Sequence, residues 1–315
     1  MIAREWCTGR HLWAERYDRR IDDVFALQEE VAEKIVGALA TGYGGRLRKA
    51  WQNRGAAIGA RNLRALDYFL RGMEFLNRFT GEDNKRSQEA FRKAFELEPN
   101  YGKPIAKLAM SHMIDVVWGW SEDQDASWEE AWRLINLALK RDDDEPWCYW
   151  ALAVYYMSRL GQHDRALSEL SKALELNPGD ADVITDYGWF LCYMGRPEEA
   201  IEWALKAIRL NPHYPEWYVM QLGPIYYDAR RYKDAIETIE SLRNFETIWT
   251  DFYLAASHAQ TGHEMEAGKA LQGALKFDPQ ATIEGWITPE NIPHKDPSYR
   301  EHFAEGLRKA GLPER

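Results

Sequence analysis

The chain has 315 residues, 45% apolar and 13% aromatic, enough to bury a large core and too hydrophobic for a disordered polymer. Its net charge of -10 is uneven: residues 1–64 carry 12 Lys and Arg against 8 Asp and Glu, leaving 28 against 42 for the rest, where nucleic-acid binding is a poor fit. No apolar run approaches the roughly 18 residues of a membrane span, Met1 to Arg10 lacks a signal peptide's apolar stretch, and Cys7, Cys148 and Cys192 lack CxxC spacing; a cytoplasmic protein with neither disulfide framework nor zinc site is expected.

Gly9 to Asp18 alternates His11, Trp13, Glu15 and Tyr17 with Leu12, Ala14, Arg16 and Asp18, which reads as a strand with no partner strand before it. Asp22 or Asp23 then caps a helix whose apolar face runs Val24, Leu27, Val31, Ile35 and Leu39. That face needs cover, and residues 24–39 pairing between chains would make a homodimer. His11 to Asp18 and Asp22 to Gln28 resemble the end of the TolB-like amino-terminal region of bacterial class III adenylate or guanylate cyclases that carry tetratricopeptide repeats. The resemblance implies that residues 1–45 are a strand-helix remnant of that region, without the cyclase catalytic domain. Residues 46–62, inside the glycine-, arginine- and lysine-rich stretch Thr41 to Asn62, read as a basic linker.

Six helix pairs follow in residues 63–281. The first carries Tyr68, Gly72, Phe75, Phe91, Ala94 and Pro99, with three residues added in the turn around Thr80 to Lys85. The second carries Ala109, Ala131, Ile135 and Ala138 and an enlarged loop from Trp118 to Ser127; the third has Ala153, Tyr156, Ala166, Ala173 and Pro178. The fourth, Ala181 to Tyr214, is the most regular: Gly188, Ala200 and Ala207 are small where two helices cross, Gly195-Arg196-Pro197 turns the chain, and Pro212 ends the second helix. This spacing resembles the tetratricopeptide repeat, and an all-α solenoid is expected. The fifth pair has Gly223, Tyr226, Ala235 and Ile239 with Leu242 in place of a small residue, and Pro224 inside its first helix should kink it. The sixth has Ala255, Gly262, Ala267, Leu271, Ala274 and Pro279. Residues 282–315 hold Pro289, Pro293 and Pro297, then a helix with Tyr299, Phe303 and Leu307 on one face, read as a cap on the last repeat. Gly306 to Glu314 resembles the carboxyl end of the same cyclases.

No catalytic or metal motif stands out. His258 and His263 are five apart, off a common helix face, and HExxH, GxxxxGK[ST] and GxSxG patterns are missing. Asp142 to Glu145 reads as a solvated helix end. No cofactor is expected, and the chain reads as non-enzymatic.

The repeat resemblance implies a concave groove lined by the first helix of each pair. Its inner positions here are Trp147, Trp150, Asp182, Asp186, Trp189, Trp217, Tyr227, Asp228, Trp249, Phe252 and Tyr253. Aromatic residues of this kind serve as binding anchors. The Lys, Arg and Asn of a carboxylate clamp do not occur at the inner positions of pairs three to six. A protein or peptide with apolar and basic side chains is therefore the expected partner, with no nucleic acid or membrane. The alternative is that the chain is the regulatory carboxyl-terminal region of a class III cyclase.

Overall fold

The computed structural model describes residues 2–4, 11–14, 63–99, 101–141, 144–243 and 246–315. The helix expected from Asp22 or Asp23 to Leu39 and the linker 46–62 lie outside them. Two short strands, β1 (Ile2–Arg4) and β2 (His11–Ala14), pair antiparallel with Ile2 opposite Ala14 and Ala3 opposite Trp13. A partner strand does precede His11, contrary to the sequence reading; three residues are too few to show a period of two.

The other described elements are helical. They are α1 (Leu63–Leu76), α2 (Gly81–Leu97), α3 (Gly102–Val117), α4 (Gln124–Arg141), α5 (Pro146–Val154) ending in a π turn at Tyr155–Arg159, α6 (His163–Leu176), α7 (Ala181–Tyr193), α8 (Pro197–Leu210), α9 (Glu216–Asp228), α10 (Tyr232–Glu240), α11 (Ile248–Gln260), α12 (Glu264–Phe277), α13 (Ile283–Trp286) and α14 (Pro297–Ala310). They form two compact units. One comprises Met1–Leu160, Asp164–Val183 and Arg209–His213; the other comprises Gly161–His163, Ile184–Ile208 and Tyr214–Arg315.

In the first unit, Gly72 of α1 faces the fully buried Phe91 of α2, whose ring a Cβ would meet at 2.5 Å. The residues added to this pair lengthen α2 rather than the turn. Thr80 accepts from the Asp83 amide at the N-cap, and Glu82 and Asp83 suit the positive end of the helix dipole. Between α2 and α3 the buried Asn84 amide donates to Ser111 O at 2.8 Å and Asp115 Oδ1 at 2.7 Å, and Gln88 donates to Asp115 Oδ2 at 2.6 Å. These bonds satisfy a carboxylate that would otherwise be costly to bury.

In the second unit, Gly188 of α7 lies against the α8 backbone, with Ala200 O 2.9 Å from where a Cβ would sit. Gly223 of α9 instead faces a side chain of α10, with Ile239 Cγ1 2.5 Å from where a Cβ would sit. Helix α9 runs through Pro224. Helix α10 is only nine residues long and stops at Glu240, so Leu242 lies beyond the helix rather than at a crossing. Helix α14 packs on α11, with Phe303 and Leu307 buried, and Gly306 brings it within reach of α9: a Cβ there would meet Tyr227 Oη at 2.5 Å and Ala256 Cβ at 2.9 Å.

Glycines of opposite consequence follow. Gly188→Leu should lower stability by about 1–3 kcal/mol, because backbone atoms cannot move aside. Gly268, on α12, has no heavy atom within 4 Å of its Cβ position, so Gly268→Ala should raise stability by about 0.5–1 kcal/mol. Urea midpoints at unchanged slope check both signs.

Candidate functional site

Nine of the eleven inner-face residues are buried: Trp147, Trp150, Asp182, Asp186, Trp217, Tyr227, Asp228, Phe252 and Tyr253. Trp189 and Trp249 are partly exposed. The expectation that these residues line one open groove is therefore corrected. In the first unit the Trp147 ring packs on Trp150 at 5.6 Å and lies beneath the buried Lys107, whose Nζ is 2.8 Å from the ring centroid. A cation over an indole face is attractive once both are desolvated.

In the second unit the chain's own carboxyl-terminal segment covers the inner face. Tyr253 stacks on Phe303 at 4.1 Å, and Tyr227 meets Phe303 edge-on at 5.5 Å while its hydroxyl donates to His302 O at 3.1 Å. Trp249 and Phe252 meet Trp286 of α13 edge-on at 5.4 and 5.9 Å. The Lys295 amide donates to Tyr193 O at 2.8 Å. Asp186 Oδ1 accepts from Gln221 at 2.8 Å, and Trp189 packs edge-on against Tyr193. The segment expected to cap the last repeat thus also packs on these inner-face rings.

Beneath that segment three side chains meet whose relation the sequence does not reveal. Asp228 Oδ2 receives the Cys192 thiol at 3.1 Å and His294 Nε2 at 2.7 Å. Burial, and then the adjacent Asp228, push the Cys192 thiol well above its ordinary pKa, so it is a hydrogen-bond donor and not a nucleophile. Burial and then Asp228 push the Tyr253 phenol up in the same way.

A cavity of about 390 Å³ opens on another face of the second unit, formed by α10, α11 and α12. Its lining includes Glu240, Glu246, Asp251 and Glu266, two lysines (Lys269 and Lys276), and Leu254 and Phe277. Gly273 leaves room for Asp251, whose carboxylate lies 2.6 Å from where a Cβ would be. Among the described residues no hydrogen bond reaches that carboxylate. Desolvation, then repulsion from Glu246, raise its pKa from 3.8 to about 6. His258, buried at the same cavity, is held below the ordinary histidine range chiefly by desolvation, and its Nδ1 has no hydrogen-bond partner. None of these residues was singled out as a site from the sequence, because none repeats with the inner-face period.

Residues 157–221 match the tetratricopeptide repeat family. Over 161 residues the chain is 29% identical to a Rhizobium meliloti (strain 1021) protein named "Putative adenylate cyclase 3", a stretch covering 50% of this chain and 27% of that protein. It is 28% identical over 119 residues to the Bos taurus Protein SGT1 homolog, covering 36% of this chain and 35% of that one. The chain thus spans about a quarter to a third of these curated relatives. Among solved structures, the human IFIT1 dimer with m7Gppp-AAAA superposes with a TM-score of 0.59 at 15% identity, over 86% of this chain and 64% of that one. The APC/C hetero-tetramer Cut9-Hcn1 gives 0.56 at 15% identity, over 84% and 45%. Such distant likenesses concern the fold alone. The family match stands for residues 157–221, and the likenesses add a fold of tandem helix pairs. No helix of the described residues is long and apolar enough to cross a membrane.

Asp251 makes stability depend on pH with a definite sign. Its folded pKa of about 6 exceeds the unfolded value of 3.8, so the native state binds the extra proton and stability from this group falls as pH rises from about 4 to about 6. Allowing for solvent screening of a half-exposed group, Asp251→Asn should raise stability by about 1 kcal/mol at pH 7.5 and by nothing at pH 4. Thermal melts at the two pH values measure the difference.

Proposed function

We propose that this chain is a non-enzymatic scaffold that holds a protein segment bearing basic and apolar side chains. The observation that carries this reading is the Asp251 carboxylate: half-buried, without a hydrogen bond among the described residues, and lining a cavity in which three glutamates outnumber two lysines beside the apolar Leu254 and Phe277. A carboxylate kept at a cost to stability is one that a ligand can repay. An arginine or lysine side chain would neutralise it and bring its own aliphatic stem against Phe277. The partly exposed Trp189 and Trp249 are the inner-face residues that remain as candidate anchors for a longer segment.

Calorimetry on the full chain with synthetic peptides of alternating leucine and arginine, or leucine and glutamate, tests the reading. The arginine peptide should bind, more weakly at high salt, and Asp251→Asn should weaken it by about fivefold to thirtyfold. Equal binding of the glutamate peptide would contradict it. Loss of binding in Trp189→Ala with Asp251→Asn unaffected would move the contact to the inner face.

A second reading is favoured by the match to the Rhizobium meliloti protein: the chain would be the regulatory part of a class III cyclase, as the resemblance at residues 11–28 and 306–314 also implies. The two readings are compatible, since a scaffold next to a catalytic domain can regulate it. On either reading the purified chain should form no cyclic nucleotide from ATP or GTP. Formation that a point substitution within the chain abolishes would overturn both.

A further inference from the structure

The Cys192, Asp228 and His294 donor atoms all lie within 4.8 Å of one another, and each comes from a different part of the second unit: α7, α9 and the segment before α14. Thiolate, imidazole and carboxylate together are the ligand set of zinc, and three protein donors with one open position is a coordination that zinc accepts. We propose that these three side chains bind one zinc ion, which fastens the carboxyl-terminal segment to α7 and α9.

Charge carries the argument furthest. The Asp228 and His294 side chains are each 2% exposed, and among the described residues no lysine or arginine pairs with Asp228. Among the described residues that carboxylate is met by the thiol and the imidazole, and the Nδ1 of His294 is buried without a hydrogen-bond partner. Zinc with a thiolate, a carboxylate and a neutral imidazole sums to zero, and the proton leaves the Cys192 thiol on binding.

Geometry asks for a small adjustment. Ligands of one tetrahedral zinc lie about 3.3–3.6 Å apart, given bonds of about 2.0–2.3 Å. The present separations are 3.1 Å for Sγ to Oδ2 and 2.7 Å for Nε2 to Oδ2, so these two pairs would part by several tenths of an ångström, while Sγ and Nε2, within 4.8 Å of each other, would settle to the same spacing. Tyr193, whose ring meets the His294 imidazole edge-on at 5.0 Å, and Tyr299, stacked on it at 5.2 Å, pack against the imidazole and restrict its rotation.

The test uses the untagged full chain, stripped of metal and titrated with zinc and with cobalt(II). One equivalent should bind, the cobalt form should show a thiolate-to-metal charge-transfer band, and zinc at a hundredfold excess over its Kd should raise Tm by about 5 °C or more. Cys192→Ser should remove the band and Cys148→Ser should keep it. His294→Gln retains a donor to Asp228, and so a hydrogen-bonded fastening, but should weaken zinc by more than the roughly 10–100-fold that outer-shell changes cost. Absence of the band in the folded parent chain would overturn the proposal and leave a metal-free hydrogen-bond network. A band that survives Cys192→Ser, or zinc affinity unchanged in His294→Gln, would overturn it equally.

Discussion

A carboxylate buried as deeply as Asp228 has to be met by donors, and it draws them from two other places in the second unit: the thiol of Cys192 on α7 and the imidazole of His294 before α14. Removing one member of such a group leaves the others buried and unpaired, at a cost of about 3–5 kcal/mol where a charge is stranded. The carboxyl-terminal segment is therefore a structural part of the second unit. Once His294 is seated, Phe303 reaches Tyr253 and Tyr227, Gly306 lets α14 approach α9 and α11, and of the inner aromatic face of this unit Trp189 and Trp249 stay partly exposed.

What could be read from the sequence is what depends on short-range geometry. Gly188 and Ala200 mark a close helix crossing because both fall within one 34-residue unit, and the structure puts the Ala200 carbonyl 2.9 Å from the Gly188 Cβ position. The three residues added around Thr80 to Lys85 could lengthen either a turn or a helix, and spacing alone does not distinguish the two; the Thr80 N-cap puts them in α2. The Cys192, Asp228 and His294 cluster could not be read at all. Its members are separated by 36 and 66 residues, each is an isolated residue in its own segment, and they meet only when a proline-rich stretch lies across two helices.

The inner-face aromatics show the same limit in a different form. Period and residue type placed them correctly on the first helix of each pair, but whether such a ring meets solvent is decided by what packs over it. For Trp147 that is Lys107 within the first unit, and for Tyr253 it is Phe303. Affinity for a partner then depends on what remains uncovered, and the acidic cavity of α10, α11 and α12 lies outside the covered face. It couples a desolvated carboxylate to apolar walls, which suits an amphipathic cation better than either a bare ion or a purely apolar group.

Amide hydrogen exchange on the full chain, with and without the leucine-arginine peptide, addresses the central claim that the carboxyl-terminal segment is a fixed part of the fold and the acidic cavity is the surface offered to a partner. The account predicts added protection confined to Glu240–Phe277, with exchange in Ile292–Leu307 unchanged. Faster exchange in Ile292–Leu307 on peptide binding, with new protection in Asp186–Tyr193, would mean that the segment is displaced and that the inner face is the binding surface after all.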